Sequence, residues 1–242
     1  MADSFKILSS RRAYVFGVDD LRLTMLSIPF VMDQIRQAFN FQVAGMGSPS
    51  PTFGPVPATF PPGLAFNVGS WVAEDGTITP IRLLHFEPQR LVVDVAGSSS
   101  IITPIVNRIL TLAGHIEQSS GSPIIGEPQQ ILDYSEVTAH FSFDLADLFT
   151  ETARTYLRRT LDSAASEDNL VLVPTVQIHL QRPDQPYQGT SNADPTLLQL
   201  VIRAGTRPED RIYLGSAPVD SDTNINALEK LDATMLRDRD LR

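Results

Sequence analysis

The sharpest alternation of apolar and polar positions lies between residues 82 and 95. Leu84, Phe86, Leu91, Val93 and Val95 fall on one phase, and His85, Glu87, Arg90 and Asp94 on the other. With a turn at Pro88-Gln89 this pattern predicts an antiparallel hairpin, because successive strand side chains point to opposite faces. The apolar face belongs against helices, and the polar face is expected to look toward solvent or a partner. Upstream, residues 13–18 read as a strand, and Ile28, Val31, Met32, Ile35 and Phe39 recur at helical spacing over about 28–39. Strands are expected near 64–72 and 78–87, joined by an Asp75-Gly76 turn. Thr103-Pro104 makes a cap and first-turn pair, and Gly114 a stop, so a helix is predicted over 104–113.

A second series repeats that order. Val137, Ala139, Phe141 and Phe143 alternate with polar residues over a predicted strand at 136–143, and Asp144 can cap a helix running to about 164. A strand at 170–181 follows, then a hairpin at about 196–204 and 210–215, and a helix over 223–237 capped by Ser221 or Asp222. The words Phe16-Gly-Val18-Asp-Asp20-Leu21 and Phe143-Asp-Leu145-Ala-Asp147-Leu148 share the frame Phe-x-(Val/Leu)-x-Asp-Leu. The predicted fold is therefore α+β: duplicated β-α-β-β-β-α halves, about 13–114 and 136–238, forming a mostly antiparallel sheet with four helices on one face. One domain over residues 1–242 is expected, with a linker at 116–130, because either half alone would expose a wide apolar sheet face.

Composition narrows the chemistry. The 242 residues contain no cysteine, which removes disulfides, thiolate nucleophiles and sulfur-ligated metals. A net charge of −9 disfavours nucleic acid and favours a basic partner or solubility. No apolar run approaches a membrane span and no leader is evident at the N-terminus, so a cytoplasmic protein is expected. Only Lys6 and Lys230 are lysine, an arginine bias in keeping with a GC-rich, prokaryotic genome.

No motif completes a catalytic pattern. His85, His140 and His179 sit on the polar phase of their strands and could join Glu87 and Asp94 in a metal or acid–base site only if those strands were neighbours. His115 reads as a helix C-terminal dipole partner. Asp220-x-Asp222-x-Asn224 opens like a calcium loop, but Ile225 and Leu231 stand where glycine and glutamate are needed, so helix capping explains it better. Gly45-x-Gly47 and Gly189-x-Ser191 each lack the last glycine of their motif. Arg154, Arg158 and Arg159 form a basic cluster. Duplicated β-α-β-β-β units resemble the layout of DNA sliding clamps, which have basic inner helices. Asp147 and Glu151 lie one turn from these arginines, however, and point to an ion-paired face.

The segment from Gly45 to Gly63 fits no regular element. Its 19 residues hold six prolines and four glycines, together with Phe53, Val56 and Phe60. Apolar side chains on a stiff backbone lose little entropy on docking, which makes these three the candidate partner-binding residues. The competing reading, which a soluble core favours, folds both phenylalanines back onto their own sheet. His85, Glu87, Arg90 and Asp94 are a weaker candidate site, and no metal or cofactor is called for. The expected function is a non-enzymatic interaction or assembly protein, a subunit of a homo-oligomer or larger complex. A small-molecule or regulatory-ligand module is the alternative, and a metal-dependent hydrolase or nuclease the third reading.

Overall fold

Polar residues dominate the middle of Phe5-Lys-Ile-Leu-Ser-Ser-Arg-Arg-Ala-Tyr-Val15, yet this segment is β1, the middle strand of the sheet. The computed structural model describes residues 4–47, 63–120, 123–164, 174–179 and 197–240. The other strands are β2 (Val43–Gly47), β3 (Gly63–Val72), β4 (Ile78–Glu87), β5 (Arg90–Val95), β6 (Gln130–His140), β7 (Val176–His179), β8 (Leu197–Ile202) and β9 (Ile212–Ala217). The nine strands of the described residues form one sheet in the order β2-β3-β4-β5-β1-β6-β9-β8-β7, antiparallel at every step.

β1 begins eight residues before the predicted strand because periodicity misses side chains that are satisfied by distant partners. Ser10 donates to the Gly97 carbonyl at 2.7 Å, and Arg12 reaches Asp133 at 2.7 Å and Thr103 at 3.1 Å. β6 likewise starts at Gln130, inside the predicted linker, since Asp133 finds its charge partner on β1. β1 ends at Val15, and Asp19 turns the chain with φ +68°.

Five α-helices are described: α1 (Leu23–Leu26), α2 (Pro29–Ala38), α3 (Ile102–Ser120), α4 (Glu151–Ala164) and α5 (Ser221–Asp240). α3 runs past Gly114, which costs a helix only about 1 kcal/mol, so His115 lies within the helix and not beyond its end. The predicted helix 145–164 is broken. Asp144 caps a 3-10 turn over Leu145–Leu148 with Asp147 reciprocating, Phe149 is extended, and Thr150 then accepts from Ala153 N–H to start α4. α5 is capped by Asp220, whose Oδ1 accepts from the N–H groups of Asp222 and Thr223. Asn224, the last residue of the calcium-like word, is buried, with Nδ2 donating to Ser135 and to the Gly215 carbonyl.

The two apolar clusters of the described residues share one face of the sheet. Ser10 pairs with Val95 on one side and Ser135 on the other, so these three positions point the same way. α2 and α3 press Ile35, Ile102, Ile105 and Ile109 onto Phe66, Leu84, Phe86 and Val93, while α5 presses Leu228 onto Val137, Ala139 and Tyr213. The helix starts are tied together: Ser99 N–H donates to Ser221 Oγ at 3.1 Å, and Ser221 N–H donates to Ser99 Oγ at 3.2 Å.

Candidate functional site

The hairpin β4–β5 turns at Pro88-Gln89 in the predicted register, with Leu84 opposite Val93 and Phe86 opposite Leu91. Leu84, Phe86, Leu91, Val93 and Val95 are all fully buried against the helices. The other face departs from expectation. His85 is 0% exposed, Glu87 4% and Asp94 6%, so the predicted open polar surface is closed over these three residues.

Charge pairing explains how they can be buried, since an ionised group leaves water cheaply only when neutralised and hydrogen-bonded. Arg90 forks onto Glu87, with Nε to Oε2 at 2.7 Å and Nη2 to Oε1 at 3.0 Å, and His85 Nδ1 lies 3.3 Å from Oε1. Burial by itself pushes the Glu87 carboxyl up, but hydrogen bonds from His85 and Arg90 overcome it and hold the group below the usual carboxylate range. Arg11 places Nη2 and Nε at 2.6 and 3.0 Å from Asp94 Oδ2, while buried Oδ1 has no hydrogen-bond partner among the described residues. Further along β1, Ser9 donates to Glu136 of β6 at 2.8 Å, and burial pushes the Tyr134 phenol of β6 up against an opposing hydrogen bond with Ser216. Arg11 and Tyr134 escape a sequence reading because their partners are remote in the chain; the opposite charges of Arg11 and Asp94 were the one available signal.

Strand order keeps the three strand histidines apart. Two strands separate β4, which carries His85, from β6, which carries His140, and two more separate β6 from β7, which carries His179. At about 4.8 Å per strand each gap is roughly 14 Å, too wide for a shared metal ion. Among the described residues no three His, Asp or Glu side chains gather as a metal would need. The basic cluster on α4 is partly neutralised, with Arg154 at 2.9 Å from Asp147 and 2.7 Å from Glu151.

Phe53, Val56 and Phe60 lie outside the described residues, but both ends of their segment are in place. Gly45 and Gly47 belong to β2, and Gly47 pairs with Gly63 across the β2–β3 ladder. Gly47 and Gly63, which flank the stretch 48–62 in sequence, are therefore neighbours at the margin of the sheet. Gly63 is required there, since a Cβ would come within 2.2 Å of the Phe86 carbonyl oxygen and 2.8 Å of His85 Nε2.

β2 is the first strand of the sheet and has β3 as its only neighbour among the described residues. Gln42 N–H donates to Val68 O at 3.2 Å. In an antiparallel ladder the inward-facing residues alternate, so Ala44 and Met46 address β3, whereas the N–H and C=O groups of Val43, Gly45 and Gly47 point outward. Val43 is 58% exposed, and among the described residues a Cβ on Gly45 would meet nothing within 4 Å. Beside this margin Met32, Asp33 and Arg36 of α2 and Gln42, Val43 and Ala44 line an open groove of about 380 Å³.

No known protein family and no curated protein matches this sequence.

Proposed function

We propose that this chain is a non-enzymatic interaction or assembly protein, working in the cytoplasm as a subunit of a homo-oligomer or larger complex. One observation supports it above the rest: a 15-residue stretch holding six prolines and two phenylalanines is inserted at the tip of a marginal hairpin whose ends are already paired, Gly47 to Gly63. A fold gains nothing in connectivity from so long an insertion, and segments of this kind in compact proteins commonly serve binding. No helix of the described residues is long and apolar enough to cross a membrane.

The scaffold under this insertion is, in our reading, an internal duplication. Asp20 N–H donates to the Gly17 carbonyl in the first Phe-x-(Val/Leu)-x-Asp-Leu word, and Asp147 N–H to the Asp144 carbonyl at the matching position of the second. In each half the first strand neighbours the last, β1 with β5 and β6 with β9. Ser99 and Ser221, each four residues beyond that last strand, exchange reciprocal hydrogen bonds as a two-fold relation requires.

Replacing residues 48–62 by a four-residue Gly/Ser linker tests the functional reading. A cooperative melt should persist while native mass falls or a co-purifying protein is lost. A melt several degrees lower with mass and partners unchanged makes Phe53 and Phe60 core plugs and removes the main support for the proposal.

A further inference from the structure

Resting on the assembly reading above, we propose that the occupant of the β2 margin is a second copy of this chain, paired β2 to β2 in antiparallel register about a two-fold axis through Gly45, so that the sheet continues across a dimer.

Natural sheet margins are guarded against pairing by charges, prolines or bulges. Val43-Ala-Gly-Met-Gly47 has no charge and no proline, and its outward groups at Val43, Gly45 and Gly47 form a ladder that can close on itself. With the axis at Gly45, Val43 of one copy faces Gly47 of the other, and the exposed Val43 side chain passes over a residue without a side chain to obstruct it.

Charge selects the partner. Each chain carries a net −9, so two copies repel over most approaches. The ground beside β2 is balanced instead: Asp33 and Arg36 line the same groove, their side chains 58% and 49% exposed, and they hold each other only loosely at 3.5 Å. An axis normal to the sheet lays both α2 helices on one face, so that each copy offers the other both an acidic Asp33 and a basic Arg36. An isologous contact requires that self-complementarity, since whatever residue i meets at j, j meets at i.

Sedimentation of the 242-residue chain reads the proposal directly. The wild type should sediment at twice the 26.6 kDa chain mass in the micromolar range. Gly45→Pro removes an outward N–H without touching the bonds to β3, and Val43→Lys charges the margin; each should raise the dimer dissociation constant at least about tenfold, with a cooperative melt retained. Asp33→Arg and Arg36→Asp should each weaken the dimer, and the double variant, which exchanges the charges, should restore it. A wild type that stays monomeric to 100 µM overturns the proposal, as does a dimer indifferent to both margin variants. So does a dimer lost on replacement of 48–62 but kept in Gly45→Pro, which places self-association on the loop. A β2 dimer should survive the replacement of 48–62, which leaves Val43–Gly47 in place, so the loop's part in the assembly reading is decided separately, by whether that replacement costs a co-purifying protein.

Discussion

Glu87 keeps its negative charge although it is almost wholly buried, because Arg90 and His85 surround the carboxylate. Its folded pKa is depressed, so the stabilisation it contributes is present above the ordinary glutamate range and is lost as pH falls through the lowered folded value. Glu87→Gln should therefore flatten the acid limb of the stability profile, seen by urea unfolding from pH 7 to pH 3 beside the wild type. At neutral pH the variant should lose about 2 kcal/mol. That is less than the 3–5 kcal/mol typical of breaking a buried pair, because Arg90 is 38% exposed and can turn to water. An unchanged acid limb would mean that Glu87 is protonated or solvated in the folded protein. The residue type was visible in the sequence, as was Arg90 on the same phase three positions on. Its burial was not, because alternation separates two faces without saying which of them is covered.

Within the β2–β3 hairpin two glycines have opposite reasons to be there. A Cβ at Gly63 runs into the Phe86 carbonyl of β4, and β3 cannot retreat without breaking its ladder, whereas Gly45 faces open space. Gly63→Ala should destabilise by about 1–3 kcal/mol, as overpacking does. Gly45→Ala should be neutral or stabilising by up to about 1 kcal/mol, because glycine in a strand sacrifices backbone entropy. Guanidinium unfolding of the two variants decides it, and equal losses would contradict this placement of the hairpin. Turns and apolar stripes were legible at this scale, as at Pro88-Gln89 and over α2. Ends of elements were less so: Gly114 does not stop α3, and the 145–164 helix breaks at Phe149.

At the scale of the molecule, β1 pairs with β6 along nearly its whole length and joins the two groups of strands. The reciprocal Ser99–Ser221 bonds join the helices above them. We expect the chain to fold as one unit. Residues 1–122 and 123–242 expressed separately should each lack a cooperative transition, since each would present a long central strand as an open edge with apolar surface beside it. Mixing them should restore far-UV dichroism and a single melt. A fragment that melts cooperatively alone would make the halves independent domains.

What the sequence determined by itself was local: the β4–β5 register, the turns at Asp75-Gly76 and Pro88-Gln89, the stripe of α2, the cap at Asp144 and the failure of the calcium-like word. Each depends on residues a few positions apart, where backbone geometry sets the outcome. Tertiary structure alone decided that a polar stretch such as Ser9-Ser10-Arg11-Arg12 is a central strand, that His85 and Glu87 are buried, and that the three strand histidines lie far apart. The first of these depends on partners 80 to 130 positions away, Asp94, Asp133 and Glu136 among them, and the other two on which strands the sheet sets side by side and which face it covers. A charge in the chain does not announce which distant opposite charge will neutralise it.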